Sequence, residues 1–245
     1  MPEPTLTCTH ISKHFGGVRA LNGVNATVSQ GEILGLVGPN GSGKSTLINV
    51  ISGQHAVTDG QVTFKGRDIT HDAPHTVTQL GIARTYQIPR PFTSMTVLRN
   101  VMVSSTFGHS NRGLEQARHD AYEALEFTGL AHYADKPVGK LNLHQRKFLE
   151  LARALSTKPE LLLLDEVMAG LNPTEVDESI KMIRKIHNSG VTLIIVEHLM
   201  RVVTSLSTRM LVLNYGQVIA DGEPAQVMND PNVVTAYLGK DYARQ

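Results

Sequence analysis

The sequence predicts an α/β domain built on a strand, a glycine loop and a helix, with antiparallel strands ahead of this unit and a helical insertion behind it. Three observations carry that prediction. The apolar run Glu32-Ile33-Leu34-Gly35-Leu36-Val37 leads directly into GPNGSGKST, Gly38 to Thr46. The continuous apolar runs Leu161 to Leu164 and Val191 to Val196 have the composition of parallel strands covered on both faces. Between Pro91 and Pro159 the apolar residues recur at helical spacing instead.

Taken in order, Thr5 to Val28 alternates apolar and polar positions with glycine breaks at Gly16-Gly17 and Gly23, the pattern of antiparallel strands. The helix that opens at Lys44 carries Leu47, Ile48, Val50 and Ile51 on one side and stops at Gly53. Gln61 to Lys65 reads as a further short strand. Helices are expected over Thr96 to Val103, Leu114 to Phe127 and Gln145 to Leu155. Another, from about Thr174 to His187, is bounded by Pro173 at its entrance and Gly190 beyond its end. Arg209 to Leu213 and Gln217 to Ala220 flank Tyr215-Gly216 as a hairpin, and short helices over Pro224 to Met228 and Asn232 to Leu238 follow. No internal repeat or low-complexity tract interrupts this order.

The chain has 245 residues, 41% of them hydrophobic, enough for one large domain with an inserted lobe. The expected division is a core over 1–90 and 158–245 and a helical subdomain over 91–157. Lysine and arginine total 23 against 22 acidic residues, and no basic cluster is interleaved with aromatics, so no nucleic-acid partner is expected. The single cysteine, Cys8, has no internal partner and reads as a packed thiol in a reducing compartment. The opening MetProGluPro is not a signal peptide, and no apolar stretch is long enough for a spanning helix.

The glycine loop carries the most specific chemistry. Gly38, Gly41 and Gly43, with Pro39, Asn40 and Ser42 between them, allow backbone N–H groups to turn inward onto phosphate oxygens, and the following helix adds its positive end. Lys44 suits the β- and γ-phosphates of a nucleoside triphosphate, the Ser45 hydroxyl suits Mg²⁺, and Thr46 closes the motif. At the carboxyl end of the strand Leu161 to Leu164 stand Asp165 and Glu166. Asp165 suits Mg²⁺ held through water, and Glu166 suits a general base that polarises a water for attack on the γ-phosphate. Alone, such a pair also reads as a solvent-exposed acidic strand end. His198, two residues past Val196, and Gln87, where the core gives way to the helical stretch, are each compatible with an ordinary surface role as well as with contact to γ-phosphate or Mg²⁺.

With these segments assembled, the chain resembles the ATPase subunit of ABC transporters from Leu6 to about Gly239. GPNGSGKST, ArgThrTyrGln ending at Gln87, LLLLDE, AlaGlyLeuAsnPro from Ala169 to Pro173 and IleIleValGluHis ending at His198 stand in that family's order. The resemblance implies a P-loop (RecA-like) ATPase core with an N-terminal antiparallel β subdomain and an inserted helical subdomain, binding ATP and Mg²⁺. It makes Phe15, in HisPheGlyGly, the aromatic that stacks on adenine, where a core strand phenylalanine is the other reading. Gln87 becomes a Mg²⁺ contact, Asp165 and Glu166 the metal carboxylate and the base, and His198 the γ-phosphate contact. PheGlyGlyValArgAlaLeu, MetThrVal after Gln87 and the tail AlaTyrLeuGly look most like the ATPase subunits of branched-chain (hydrophobic) amino acid importers, the LivG type.

The family's signature loop is LeuSerGlyGlyGln or LeuSerTyrGlyGln, and this chain has Leu141-Asn142-Leu143-His144-Gln145 in its place. By resemblance that loop caps the nucleotide of a second ATPase subunit, so Asn142 and His144 are expected at that nucleotide, Asn142 through its amide. Loss of glycine is expected to weaken the contact wherever positive φ is required, or to have no consequence. The implied partners are that second subunit, alike or different, transmembrane permease subunits, and indirectly a solute-binding protein. The implied place is peripheral, on the cytoplasmic side of the inner membrane. A soluble ABC-type ATPase of protein assembly, a lipopolysaccharide-type exporter ATPase and a phosphate-loop kinase are the competing readings.

Overall fold

The computed structural model describes residues 4–108 and 113–238. Met1–Glu3, 109–112 and 239–245 lie outside the described residues, among them the start of the MetProGluPro segment and Gly239 of the C-terminal motif. In chain order the elements are β1 Leu6–Phe15, β2 Val18–Val28, β3 Ile33–Val37, α1 Lys44–Ile51, β4 Asp59–Phe64, β5 Arg67–Asp68, α2 Pro74–Gln79 and β6 Ile82–Arg84. They continue with α3 Val97–Thr106, α4 Leu114–Phe127, α5 Leu143–Leu155, β7 Leu161–Asp165, α6 Pro173–Asn188 and β8 Thr192–Val196. The last are α7 Met200–Leu206, β9 Arg209–Asn214, β10 Gln217–Gly222, α8 Pro224–Met228 and α9 Pro231–Leu238. The chain divides into two compact units, residues 1–74 with 192–245 and residues 75–191.

In the first unit β2, β1, β4 and β5 form an antiparallel sheet. Gly23 does not separate two strands, as the sequence suggested, but lies inside β2 at φ +65, where the β1–β2 register shifts. A glycine in a left-handed conformation absorbs an extra residue without ending the strand. Cys8 sits in this sheet at 2% exposure, and burial pushes its thiol up to about 12. Beside this sheet run β10, β9, β3 and β8, with β3 parallel to both β8 and β9 and with β9–β10 a hairpin. All five residues of β3 and of β8 are buried, which is why both read as apolar runs, with Thr192 the one polar residue.

The second unit pairs β6 with β7 in parallel and packs the helices α3, α4 and α5 against one another. The helical stretch expected over 91–157 is one part of this unit, which also holds β6, β7 and α6. Helix α6 begins at a reciprocal cap, Asn172 Oδ1 accepting from Glu175 N at 3.0 Å and Glu175 Oε2 from Asn172 N at 3.0 Å, with Pro173 in its first turn. The elements the sequence did not reveal, α2, β5, β6 and α7, have seven residues or fewer. Periodicity needs more chain than that to declare itself.

Gly35, in the middle of β3, lies against α7 and the residue that follows it: a Cβ there would stand 2.6 Å from both Ser207 Oγ and Val203 Cγ1. Gly35→Ala should therefore force these groups apart and destabilise the chain by about 1–3 kcal/mol. A urea titration checks this, and an unshifted midpoint would show that α7 gives way freely.

Candidate nucleotide site

The loop between β3 and α1 is shaped by two glycines. Gly38 has φ +148 and lies so close to the neighbouring strand that a Cβ would come within 2.0 Å of the Leu213 carbonyl oxygen. Gly43, the residue before α1, has φ +109, and a Cβ there would meet the Ala20 carbonyl oxygen at 2.6 Å. No other residue type fits either place without moving a main chain. The Lys44 side chain then folds back over the loop, its Nζ donating to the Gly38 and Pro39 carbonyl oxygens at 2.8 and 2.9 Å and to Ser42 Oγ at 3.4 Å. Lys44 is only 6% exposed. A buried ammonium gains most from facing an anion, so this one is suited to a phosphate group.

Outside the loop is a cleft of about 320 Å³ lined by Val18, Arg19 and Ala20 of β2, by residues 41–46 and by Tyr215. Ser45 is exposed beside it. Tyr215 is held at φ +46 next to Gly216, whose N–H donates to the Ser42 carbonyl at 2.9 Å, so the β9–β10 turn braces the loop. Phe15 ends β1 with 44% of its surface exposed, edge-on to His55 at 5.2 Å between ring centroids, with Lys13 Nζ 4.9 Å above its ring. It is not a core phenylalanine. His198 is exposed two residues beyond β8.

In the second unit the carboxylates sit at the end of β7. Asp165 is buried and pairs with Arg84 of β6, Oδ2 to Nη2 at 2.8 Å. Glu166 has φ +50, a conformation that costs a side-chain-bearing residue about 1–2 kcal/mol. It is held there by a lysine. Lys147, 4% exposed, reaches from α5 to donate through Nζ to the main-chain oxygens of Gln87 and, at 3.2 Å, of Glu166. Gln87 Nε2 in turn donates to Glu166 Oε2. The structure thus brings Gln87, Glu166 and Lys147 together. Arg84 lies within ArgThrTyrGln and was open to recognition there. Lys147 and Tyr215 were not, since one is a lysine in an amphipathic helix and the other a turn residue beside glycine.

The variant signature segment enters α5 through a reciprocal cap: Asn142 Oδ1 accepts from Gln145 N at 2.8 Å and Gln145 Oε1 from Asn142 N at 3.0 Å. Leu143 and His144 fall in the first helical turn, and neither has positive φ, so the expected strain from lost glycine does not arise. His144 turns inward, its ring 4.3 Å from that of Phe148 and its Nε2 3.7 Å from Glu178 Oε2, with a side chain 13% exposed. What it presents at the helix start is its backbone. Among the described residues no three His, Cys, Asp or Glu side chains gather as a metal cage. Mg²⁺ at nucleotides takes most ligands from phosphate and water with one or two side chains, a demand that Ser45 and Asp165 fit in kind.

Residues 21–169 match the ABC transporter family model, and the chain belongs to that family, whose cassettes are ATPases that couple ATP hydrolysis to transport. A second model, the branched-chain amino acid ATP-binding cassette transporter, matches residues 217–243. Among curated proteins the chain is 38% identical over 244 residues to the probable branched-chain amino acid transport ATP-binding protein LivG of Archaeoglobus fulgidus, covering 96% of this chain and 95% of that one. It is 35% identical over 255 residues to the high-affinity branched-chain amino acid transport ATP-binding protein BraF of Pseudomonas aeruginosa, covering 98% of this chain and all of that one. Of solved structures, a nucleotide-free ATP-binding cassette from an ABC transporter matches with TM-score 0.89 at 35% identity, covering 97% of this chain and 100% of that one. The ADP conformation of an ABC transporter cassette matches with TM-score 0.88, also at 35% identity and with the same coverage. The fold is that of these cassettes.

Replacing Lys147 by methionine keeps the packing volume but removes the donor to two main-chain oxygens, so Lys147→Met should lower stability by about 1–3 kcal/mol. ATP hydrolysis should fall with it while ATP affinity holds. A variant with native melting temperature and native turnover would show that the lysine does not hold Glu166.

Proposed function

We propose that the chain is the ATP-hydrolysing subunit of an importer of branched-chain amino acids or related small solutes, peripheral on the cytoplasmic face of the inner membrane. It would work with a second ATPase subunit, with transmembrane permease subunits and, through them, with a solute-binding protein. The observation that carries this reading is the phosphate loop folded about Lys44, in a chain similar along nearly its whole length to branched-chain amino acid transport ATP-binding proteins. Among the described residues no helix is long and apolar enough to cross a membrane, so the pore falls to other subunits in this reading.

In this reading the backbone N–H groups of residues 40–46 hold the phosphates, Lys44 exchanges its loop carbonyls for β- and γ-phosphate oxygens, and the exposed Phe15 ring stacks on adenine. Ser45, Gln87 and Asp165 would hold Mg²⁺, which when bound offsets phosphate charge. Glu166 takes the proton of the attacking water, and its carboxylate must first leave the Gln87 amide. His198 steadies the γ-phosphate. Asn142 and the backbone of His144, at the start of α5, face the nucleotide of the second subunit. Since Asn142 Oδ1 is engaged as a cap, its amide N–H remains for that contact.

Glu166→Gln should retain ATP binding and slow hydrolysis by about 10²- to 10⁴-fold, the usual range for a general base. Lys44→Ala should instead lose ATP affinity. Equilibrium titration with ATP alongside phosphate release separates the two; native turnover in Glu166→Gln removes Glu166 from its role.

A further inference from the structure

Strands β9 and β10 are joined by only two residues, Tyr215 and Gly216, and both have positive φ, +46 and +76. Such turns favour Asn, Asp or Gly in the first of these places, because a larger side chain is strained there. Tyr215 suits the turn poorly, and it leaves 86% of its surface exposed. Its place is nevertheless fixed by its neighbour. The Gly216 N–H donates to the Ser42 carbonyl at 2.9 Å, and the Gly216 carbonyl accepts from Asn22 N–H at 2.9 Å. So placed, Tyr215 lines both clefts that border the phosphate loop, the one of about 320 Å³ over residues 41–46 and another of about 680 Å³ beside Pro39 and Asn40. Strain kept at an exposed residue, where packing does not account for it, points to a contact with a ligand.

We propose that Tyr215 is a nucleotide-binding residue: its ring packs against the nucleoside half of ATP or ADP, and the turn keeps a tyrosine for that contact where asparagine would suit the backbone better. The proposal rests on the phosphate loop's being the nucleotide site. Within the smaller cleft the lining residues divide by their chemistry. The N–H groups of residues 41–46 and the Lys44 ammonium suit phosphate oxygens, whereas Val18, Ala20 and the Tyr215 ring carry no charge and suit the carbon-bearing faces of sugar and base. Tyr215 therefore adds affinity for a nucleoside phosphate and none for a bare one. The ring supplies the contact, while the hydroxyl is left to water.

The test is Tyr215→Asn in the full chain, titrated calorimetrically with ADP and with pyrophosphate, neither of which ATP hydrolysis consumes. The Kd for ADP should rise about fivefold to thirtyfold, the loss expected when part of an aromatic face no longer covers the ligand, while the Kd for pyrophosphate holds. The melting temperature without nucleotide should hold or rise by up to about 4 °C, because asparagine is at home at positive φ. Tyr215→Phe, which keeps the ring, should bind ADP as the native chain does. An unchanged ADP Kd in Tyr215→Asn overturns the proposal. An equal loss for ADP and pyrophosphate does so too, since the effect then lies in the shape of the loop. A lowered melting temperature marks the ring as packing of the fold, and a loss in Tyr215→Phe as large as in Tyr215→Asn assigns the contact to the hydroxyl; either result overturns the role of the ring. Lys44→Ala is measured in parallel. If it too binds both ligands normally, the phosphate-loop reading fails; if it loses them while Tyr215→Asn keeps native ADP affinity, only the role of Tyr215 fails.

Discussion

The Lys44 ammonium, buried in its own loop, is the interaction around which the first unit is arranged. A charge at 6% exposure requires partners, and among them are two carbonyls that the loop must bend to supply. That bend demands glycine at 38 and 43, and the glycines allow β2 and β9 to press main chain against the loop. The shape of the loop is thus maintained by the sheets on either side as well as by its own hydrogen bonds.

The second unit uses another buried lysine in a comparable way. Lys147 meets main-chain oxygens of Gln87 and Glu166, and so fixes two segments that are distant in sequence. The left-handed backbone of Glu166 is sustained by that contact and by the short turn to Ala169, whose N–H donates back to the Glu166 carbonyl at 3.2 Å. Strain at one residue is stable only where its surroundings over-determine it. Here a lysine from α5 and a glutamine after β6 do so together.

Much of this was legible in the chain itself. The strand–loop–helix order, the two buried strands and the bounded helix α6 follow from runs, caps and glycines that act locally. Arg84 and Lys147 illustrate the remainder: they act through partners 81 and 19 positions away, Asp165 and Glu166. No periodicity reports such partners. The signature segment shows a different limit. Its missing glycines suggested strained backbone, whereas Asn142 starts an ordinary capped helix that any residue can follow. Here the turn carries Asn142, Leu143 and His144 on backbone with no positive φ.

Cys8, the chain's single thiol, is enclosed within the β1–β2–β4 sheet and held protonated at neutral pH. Thiol reagents should therefore pass the native protein by. A cysteine introduced at an exposed place, such as beside Phe15 or at the start of α5, would carry a spectroscopic label alone, without first rebuilding the protein around the loss of its own.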